Sequence, residues 1–344
     1  MLKNHHRVAI LLHEGVTGKQ GKTGLAFLRY SETETVAVID RTRAEQSLIE
    51  LTGIDKSVPI VSHITQALHY HPDVLLIGTA PSGGKLPEDL QAEVTEAVRR
   101  GLSIVNGLHT WLAPQYSDLQ ENQWIWDIRK EPSGLFIGTA QARSLSCQRI
   151  LTVGTDMAIG KMSTSLELDR LARKKGIKSQ FVATGQAGIA ISGRGIPLDA
   201  VRVDFAAGAV EKTVLELGRD KDLVIVEGQG SLLHPGSTAT LPLIRGSQPT
   251  GLILAHRAGA TQIRDLPEIT IPPLTEVIQL YETVASVAGA TEPVKVKAIA
   301  LNTYGMDAKI ANEAIARTQQ STGLPCTDAV RFGAEILLSA LNIR

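Results

Sequence analysis

Cysteine is nearly missing from this chain: only Cys147 and Cys326 occur among 344 residues, far apart. Two such residues build neither a disulfide framework nor a metal knuckle, and that usage points to a reducing compartment. Net charge is missing as well. Lys+Arg and Asp+Glu balance at 35 each, so nothing suggests a nucleic-acid or membrane-surface partner. An anionic substrate must then be caught by a local cluster of cations. Long hydrophobic runs are also lacking. In the N-terminal stretch MLKNHHRVAILLHEG the apolar run VAILL is too short for a signal-peptide core or a membrane span. No internal repeat, low-complexity tract or disordered tail stands out. What remains is the composition of a soluble globular protein, 43% hydrophobic and 20% charged, expected in the cytoplasm.

The length suits two domains. RVAILLH (7–13), TVAVID (35–40), PIVS (59–62), DVLLIGTA (73–80) and SIVNG (103–107) read as buried strands. Helical stretches such as LPEDLQAEVTEAVRRG separate them, a pattern that predicts a parallel sheet covered on both faces. EPSGLFIGTAQARSLSCQ is mostly small and polar and reads as an interdomain connection near 130–147. A second strand series follows: RILTVGT (149–155), SQFVATG (179–185), LVIVEGQG (223–230), GLILAHR (251–257) and VKAIALNT (296–303). DAVRVDFAAGAVEKTVLELGRD has the spacing of a long amphipathic helix. The expectation is α/β throughout: a parallel-sheet domain over 1–147, then a second α/β domain over 148–344. Ligand loops belong at the carboxyl ends of the strands.

The stretch GTDMAIGKMST, Gly154 to Thr164, nearly spells a phosphate-binding loop but departs from it twice. Five residues instead of four separate Gly154 from Gly160, and Met162 stands where a Ser or Thr normally follows the lysine. The context is right, because RILTVGT is a strand and MSTSLELDRLARKKG a helix. Backbone N–H groups at that helix start favour a phosphate, and Lys161 adds a point charge. The alternative is a tight glycine turn. Met162 cannot ligate Mg²⁺, since a thioether is a poor partner for a hard cation. Ser163 or Thr164 could substitute only from the next positions, about 100° per residue around the helix. The loop therefore looks suited to phosphate and ill suited to Mg-ATP hydrolysis.

In LVIVEGQGSLLHP, Glu227 ends a strand and is followed by Gly228, Gln229 and Gly230. It is a candidate general base or metal ligand; its other readings are a cap for the next helix or a partner for Lys161. In FVATGQAGIAISGRGIPLDAV, Thr184, Gly185 and Gln186 end the neighbouring strand and suit a substrate-facing loop.

Together these residues resemble dethiobiotin synthetase and its relatives, whose loop also has five residues before Gly-Lys. The likeness is wider with a bacterial family long labelled a domain of unknown function, whose characterised branch includes the D-glutamate N-acetyltransferases. KTGLAFLRYS, GTAPSGGKLP, NGLHTWL, GTDMAIGKMST, VATGQAGI, DAVRVDFAAGAVE, VEGQGSLLHPG, IRGSQPTGLIL and ALNT carry it, over roughly 7–331. The resemblance implies a Rossmann-like N-terminal domain and a P-loop NTPase-like C-terminal one. It further implies acetyl transfer from acetyl-CoA to the amine of a small D-amino acid, D-glutamate foremost. Gly154, Thr155, Asp156, Gly160, Lys161, Met162 and Ser163 would then cradle the coenzyme phosphates. Asn302 would lie where the synthetase group contacts adenine, unless it is a strand-end turn residue. Glu227, Gly228, Gln229, Gly230 and Ser231 would line the reacting centre.

The first domain holds a second loop of the same spacing, GVTGKQGKT, with Lys22 and Thr23. It reads as an anion-binding helix start or as a plain loop. GTAPSGGKLP brings Lys85, and NGLHTWL brings His109, a general-base candidate or a structural histidine. Asp127 and Arg129, in IWDIR, could pair with each other. Acyl transfer needs a base (Glu227 or His109), backbone N–H groups of 228–231 to polarise the carbonyl, and cations for the acceptor carboxylates. Arg129, Arg245, Lys22 and Lys85 are the candidates for those cations. No metal-ligand pattern is evident, and a homo-oligomer is expected. The competing readings are an ATP-dependent ligase or kinase using Mg-ATP, and a non-catalytic nucleotide- or coenzyme-binding regulator.

Overall fold

The computed structural model describes residues 2–18, 20–80, 86–290 and 292–343. The chain forms two compact units, one of 1–131 with 186–200, the other of 132–185 with 201–344. A single cut in the chain has no place for that excursion. Its helix packs on the first unit, as set out below.

The first unit is one six-stranded sheet. Its strands are β1 (Arg7–Leu11), β2 (Glu34–Ile39), β3 (Ile60–Val61), β4 (Val74–Ile77), β5 (Ser103–Asn106) and β6 (Ile125–Asp127), in the order β3-β2-β1-β4-β5-β6. Every pairing is parallel. Continuous Val, Ile and Leu runs make this possible, because helices cover both faces and no polar side is needed. β4 and β5 are buried at every position. The helices are α1 (Lys22–Tyr30), α2 (Leu48–Thr52), α3 (Ile64–Ala67) and α4 (Glu88–Arg99). α4 buries Leu90, Val94, Ala97 and Val98, the one-face spacing of a 3.6-residue period. The strand order reverses between β1 and β4, the place where such sheets open a crevice.

The second unit has its own six-stranded parallel sheet. The strands are β7 (Gln148–Gly154), β8 (Ser179–Val182), β9 (Leu223–Val226), β10 (Gly251–Arg257), β13 (Val296–Asn302) and β14 (Cys326–Thr327), ordered β14-β13-β10-β7-β9-β8. β7 lies between β10 and β9, so its carboxyl end opens at mid-sheet. A small antiparallel hairpin, β11 (Gln262–Ile263) with β12 (Leu266–Thr270), follows β10. Among the described residues, the helices α5 (Lys161–Lys174), α7 (Val203–Gly218), α8 (Thr240–Ser247), α9 (Leu274–Val287), α10 (Ala308–Thr322) and α11 (Glu335–Ala340) belong to this unit. α6 (Gln186–Ser192) belongs to the first unit, where it packs on α1.

The α/β reading and both strand series hold. The two-residue β14, the three-residue β6 and the two-residue β11 are too short for a pattern to register, and β12 lacks the continuous burial of the sheet strands. α6 replaces the loop expected after Thr184, because its Gly188, Ile189 and Ala190 are buried against neighbours. Among the described residues, no helix is long and apolar enough to cross a membrane.

Candidate functional site

β7 ends at Gly154 and α5 begins at Lys161, and the turn between them is built for close backbone approach. Gly160 has φ 109°, a conformation that side-chain-bearing residues rarely adopt. Ala158 also takes a positive φ of 52°, local strain of the kind that surrounding contacts must maintain. α5 has no side-chain cap and no acidic residue in its first turn. From Ala158 to Ser163 the backbone N–H groups have no protein acceptor among the described residues. An uncompensated helix start with several open donors has the physical character that favours an anion.

Lys161 is buried, and its Nζ donates to the carbonyl oxygen of Asp156 at 2.7 Å. Burial pushes its pKa down to about 8, while the charges of Asp156 and Glu227 pull it back up. The ammonium thus persists at neutral pH, poorly solvated and aimed at the loop.

The loop is fixed from four sides. Asp156 Oδ1 accepts from Met157 N–H at 2.6 Å and its Oδ2 from Arg264 N–H at 2.8 Å. Thr155 Oγ1 bonds His256 Nδ1 at 2.9 Å, and burial lowers the pKa of that imidazole to about 4, so it stays neutral. Asn302 Nδ2 donates to Ile159 O at 3.0 Å, while its Oδ1 accepts from Tyr304 N–H at 3.0 Å. The Asn302 amide is engaged at both ends, in loop support and in a strand-end turn. The buried Tyr281 hydroxyl donates to Gly154 O at 2.7 Å and accepts from Leu232 N–H at 3.0 Å. Burial raises its pKa and keeps that donor protonated. His256 and Tyr281 carried no sequence signal, because each sits inside an apolar strand or helix pattern.

Met162 and Ser163 are half-buried in the first turn of α5. Ser165, one turn further, is committed: its Oγ lies 3.0 Å from Thr152 Oγ1 and donates to Lys161 O at 3.0 Å.

Glu227 follows β9 directly and is buried. Its Oε2 accepts from Thr184 N–H at 2.8 Å and from Gly185 N–H at 3.2 Å, and Thr184 Oγ1 donates back to Glu227 O at 2.8 Å. Gln229 Nε2 lies over Oε1 at 3.3 Å. The carboxylate therefore joins the ends of β8 and β9 and acts electrostatically on Lys161. Thr184 is a backbone partner of Glu227, buried along with it.

In the glycine stretch, two of the N–H groups expected to polarise a carbonyl are already taken. Gly228 N–H donates to Thr152 Oγ1 at 2.9 Å and Ser231 N–H to Ser237 Oγ at 3.0 Å. Gln229 and Gly230 keep the N–H groups with no protein acceptor among the described residues. Gly228 must be glycine, since a Cβ there would collide with the Thr152 carbonyl.

Two hollows adjoin these elements in the second unit. One, of about 380 Å³, is walled by 155–159 of the loop, by Arg257 and by the hairpin residues Arg264 and Asp265. Neither arginine was singled out from sequence: Arg257 closes a buried strand, Arg264 stands in an exposed turn, and no local pattern marks either. The other, of about 1080 Å³, is lined by Leu232, Ser237, Thr240, Arg245 and Gln248, among others. Arg245 is exposed along α8 and does not line the loop's hollow. Gln248 Oε1 is buried and has no donor.

The remaining expected residues lie in the first unit. Lys22 is exposed and Thr23 buried at the start of α1. His109 is exposed in the turn after β5, whose shape comes from Asn106: Nδ2 donates to Thr110 O at 2.8 Å and Oδ1 accepts from Leu108 N–H at 3.0 Å. Arg129 and Asp127 do not pair. Asp127 is buried and accepts from Asn106 Nδ2 and from the N–H groups of Leu112 and Ala113 at 2.7–2.9 Å. Arg129 instead donates to Asp199 Oδ2 at 2.8 Å and to the Gly107 carbonyl. Its charge is matched by Asp199, within its own unit. Gln186 opens α6 and its side chain lies against Gly107. Lys85 lies outside the described residues.

Comparison with known proteins matches both units. The DUF1611 domain of unknown function covers 136–338 with its P-loop domain and 41–131 with its Rossmann-like N-terminal domain. A D-glutamate N-acetyltransferase from Pseudoalteromonas sp. is 35% identical over 284 residues, 81% of this chain and 84% of that protein. A second, from Tritonibacter scottomollicae, is 36% identical over 272 residues, 78% of this chain and 80% of that one. The crystal structure of a DUF1611 family protein from Anabaena variabilis is 60% identical, with a TM-score of 0.94 over 98% of this chain and 99% of its own. With a Rossmann-like unit, a P-loop unit and relatives matched over most of its length, the chain belongs to the DUF1611 family.

Proposed function

We propose that this protein is an N-acetyltransferase that moves acetyl from acetyl-CoA to the amine of a small D-amino acid, D-glutamate foremost. The observation that carries the reading is the Lys161 loop: open backbone donors and a buried ammonium, with Met162 where a Mg²⁺-ligating hydroxyl would stand. Such a loop suits a phosphate that is held without being cleaved, as the pyrophosphate of coenzyme A would be. The names of the two relatives supply the acceptor.

In this reading the loop from Gly154 to Ser163 anchors the coenzyme. Glu227 takes a proton from the acceptor ammonium at Oε1 once the half-buried Gln229 amide moves aside. The freed amine attacks the thioester carbonyl carbon, with Gln229 and Gly230 N–H groups donating to the developing oxyanion. The C–S bond then breaks and the leaving thiolate receives the proton held by Glu227; the carboxylate so freed takes the second proton from the nitrogen and passes it to solvent, which leaves the neutral amide. Arg245 pairs with an acceptor carboxylate in the larger hollow, where the donor-less Gln248 Oε1 suits a bound N–H group.

The roles separate kinetically. Lys161→Met raises the KM for acetyl-CoA more than it lowers kcat. Glu227→Gln lowers kcat by about 10²–10⁴ with little change in donor KM, the usual worth of a placed base. A normal donor KM in Lys161→Met removes the loop from the mechanism. A Glu227→Gln variant of wild-type kcat removes Glu227 as the base, and His109→Ala then tests the remaining candidate.

A further inference from the structure

We propose that Arg257 and Arg264 read the ribose 3′-phosphate of the coenzyme, so that the loop selects a 3′-phosphorylated adenosine diphosphate over ADP or ATP. The inference rests on the acetyl-CoA reading above and adds the residues that give it nucleotide specificity. The two arginines come from different elements and line the same hollow of about 380 Å³ as the loop residues 155–159. Arg257 is the last residue of β10 and pairs in register with Asn302 of β13, whose amide holds Ile159 O. Arg264 stands at the tip of the two-residue turn between β11 and β12, and its own N–H is anchored on Asp156 at 2.8 Å. Both arginines are therefore positioned by the segment that would grip the pyrophosphate.

The chemistry needs two anion sites. Coenzyme A carries a pyrophosphate and, on the ribose, a separate phosphate. Lys161 and the open N–H groups of the loop serve the first. The second requires its own cations, and guanidinium forks match phosphate oxygens in pairs. Two carboxylates also line the hollow. Both oxygens of Asp156 already accept backbone N–H groups. The Asp265 side chain is 89% exposed and lies 3.5 Å from Arg264, a solvated pair that a phosphate dianion displaces. Adenosine nucleotides without the 3′-phosphate leave both arginines unused.

The test compares acetyl-CoA with acetyl-3′-dephospho-CoA as donors for the wild type and for the Arg257→Gln/Arg264→Gln double variant. The wild type prefers acetyl-CoA by about tenfold or more in kcat/KM, expressed in KM, as a lost charge-assisted contact would give. The double variant narrows that preference to within about threefold, and Arg264→Lys retains part of it. Titration of 3′-phosphoadenosine 5′-diphosphate against ADP gives the same ranking without turnover. If neither donor releases thiol, the acetyl-transfer reading fails, and this binding comparison still decides the role of the arginines. Equal affinity for the two nucleotides in the wild type, or an undiminished preference in the double variant, overturns the proposal. Both side chains are exposed, so a thermal melt matching the wild type establishes that the variant is folded.

Discussion

Lys161 concentrates the physics of the site in one side chain. Burial favours its neutral form and brings the pKa to about 8, well below the 10.5 of a solvated lysine. Anion binding needs the opposite form. Donor affinity is therefore intact below pH 8 and lost as pH rises through that value, by about tenfold per unit in donor kcat/KM above it. Stability moves the other way. Between pH 8 and 10.5 the unfolded chain keeps a proton that the folded chain has released, so folding gains as pH rises across that window. A pH profile of donor kcat/KM between 7 and 10 measures the first effect, and Lys161→Met should lack the inflection. A flat wild-type profile would place Lys161 outside the donor site. That Lys161 is a candidate phosphate ligand was legible from sequence, because Gly-Lys between a strand and a helix has few other uses. Its burial was not, since Asp156, Glu227 and the walls around it come together only in the fold. The same holds for the commitments of Gly228 and Ser231. Their N–H partners, Thr152 and Ser237, are hydroxyls that no local pattern marks.

Among the elements, the strands were readable because continuous apolar runs of four to seven residues leave little ambiguity. Short or irregular pieces were not. The turn between β11 and β12 is Arg264–Asp265, with Asp265 at φ 65°, and lacks the Asn-Gly or Asp-Gly pair that announces a hairpin. α6 is masked by its glycine and small residues. The stretch near 130–147 read as a small, polar interdomain connection, yet Glu211 of α7 binds it tightly. The fully buried Glu211 carboxylate accepts from Thr139 N–H at 3.0 Å, Thr139 Oγ1 at 2.8 Å and Gln141 N–H at 3.0 Å. Glu211→Ala leaves those donors unmatched and should destabilise the second unit by about 2–4 kcal/mol, since each lost bond to a charged group costs about 1.5–3 kcal/mol before relaxation. Chemical denaturation with an unchanged m-value is the measurement. A loss under about 0.5 kcal/mol, the scale of ordinary surface changes, would mean that this segment is held by other contacts.

At the scale of the molecule, two α/β units, each built on a parallel sheet, share one chain, and among the described residues the P-loop unit carries the more complete set of chemical groups. The mid-sheet strand β7 delivers the loop, β9 delivers Glu227, and the ends of β10 and β13 brace the loop. The central claim is that this arrangement binds a phosphorylated acyl donor and does not cleave a nucleotide. The most direct test is release of free coenzyme A thiol from acetyl-CoA, with D-glutamate and then L-glutamate as acceptor, without ATP or added metal. Thiol release with the D-isomer alone is the predicted result. No release with either acceptor, followed by ADP formation once Mg-ATP is supplied, would contradict the account and assign the loop to an ATP-dependent ligase or kinase.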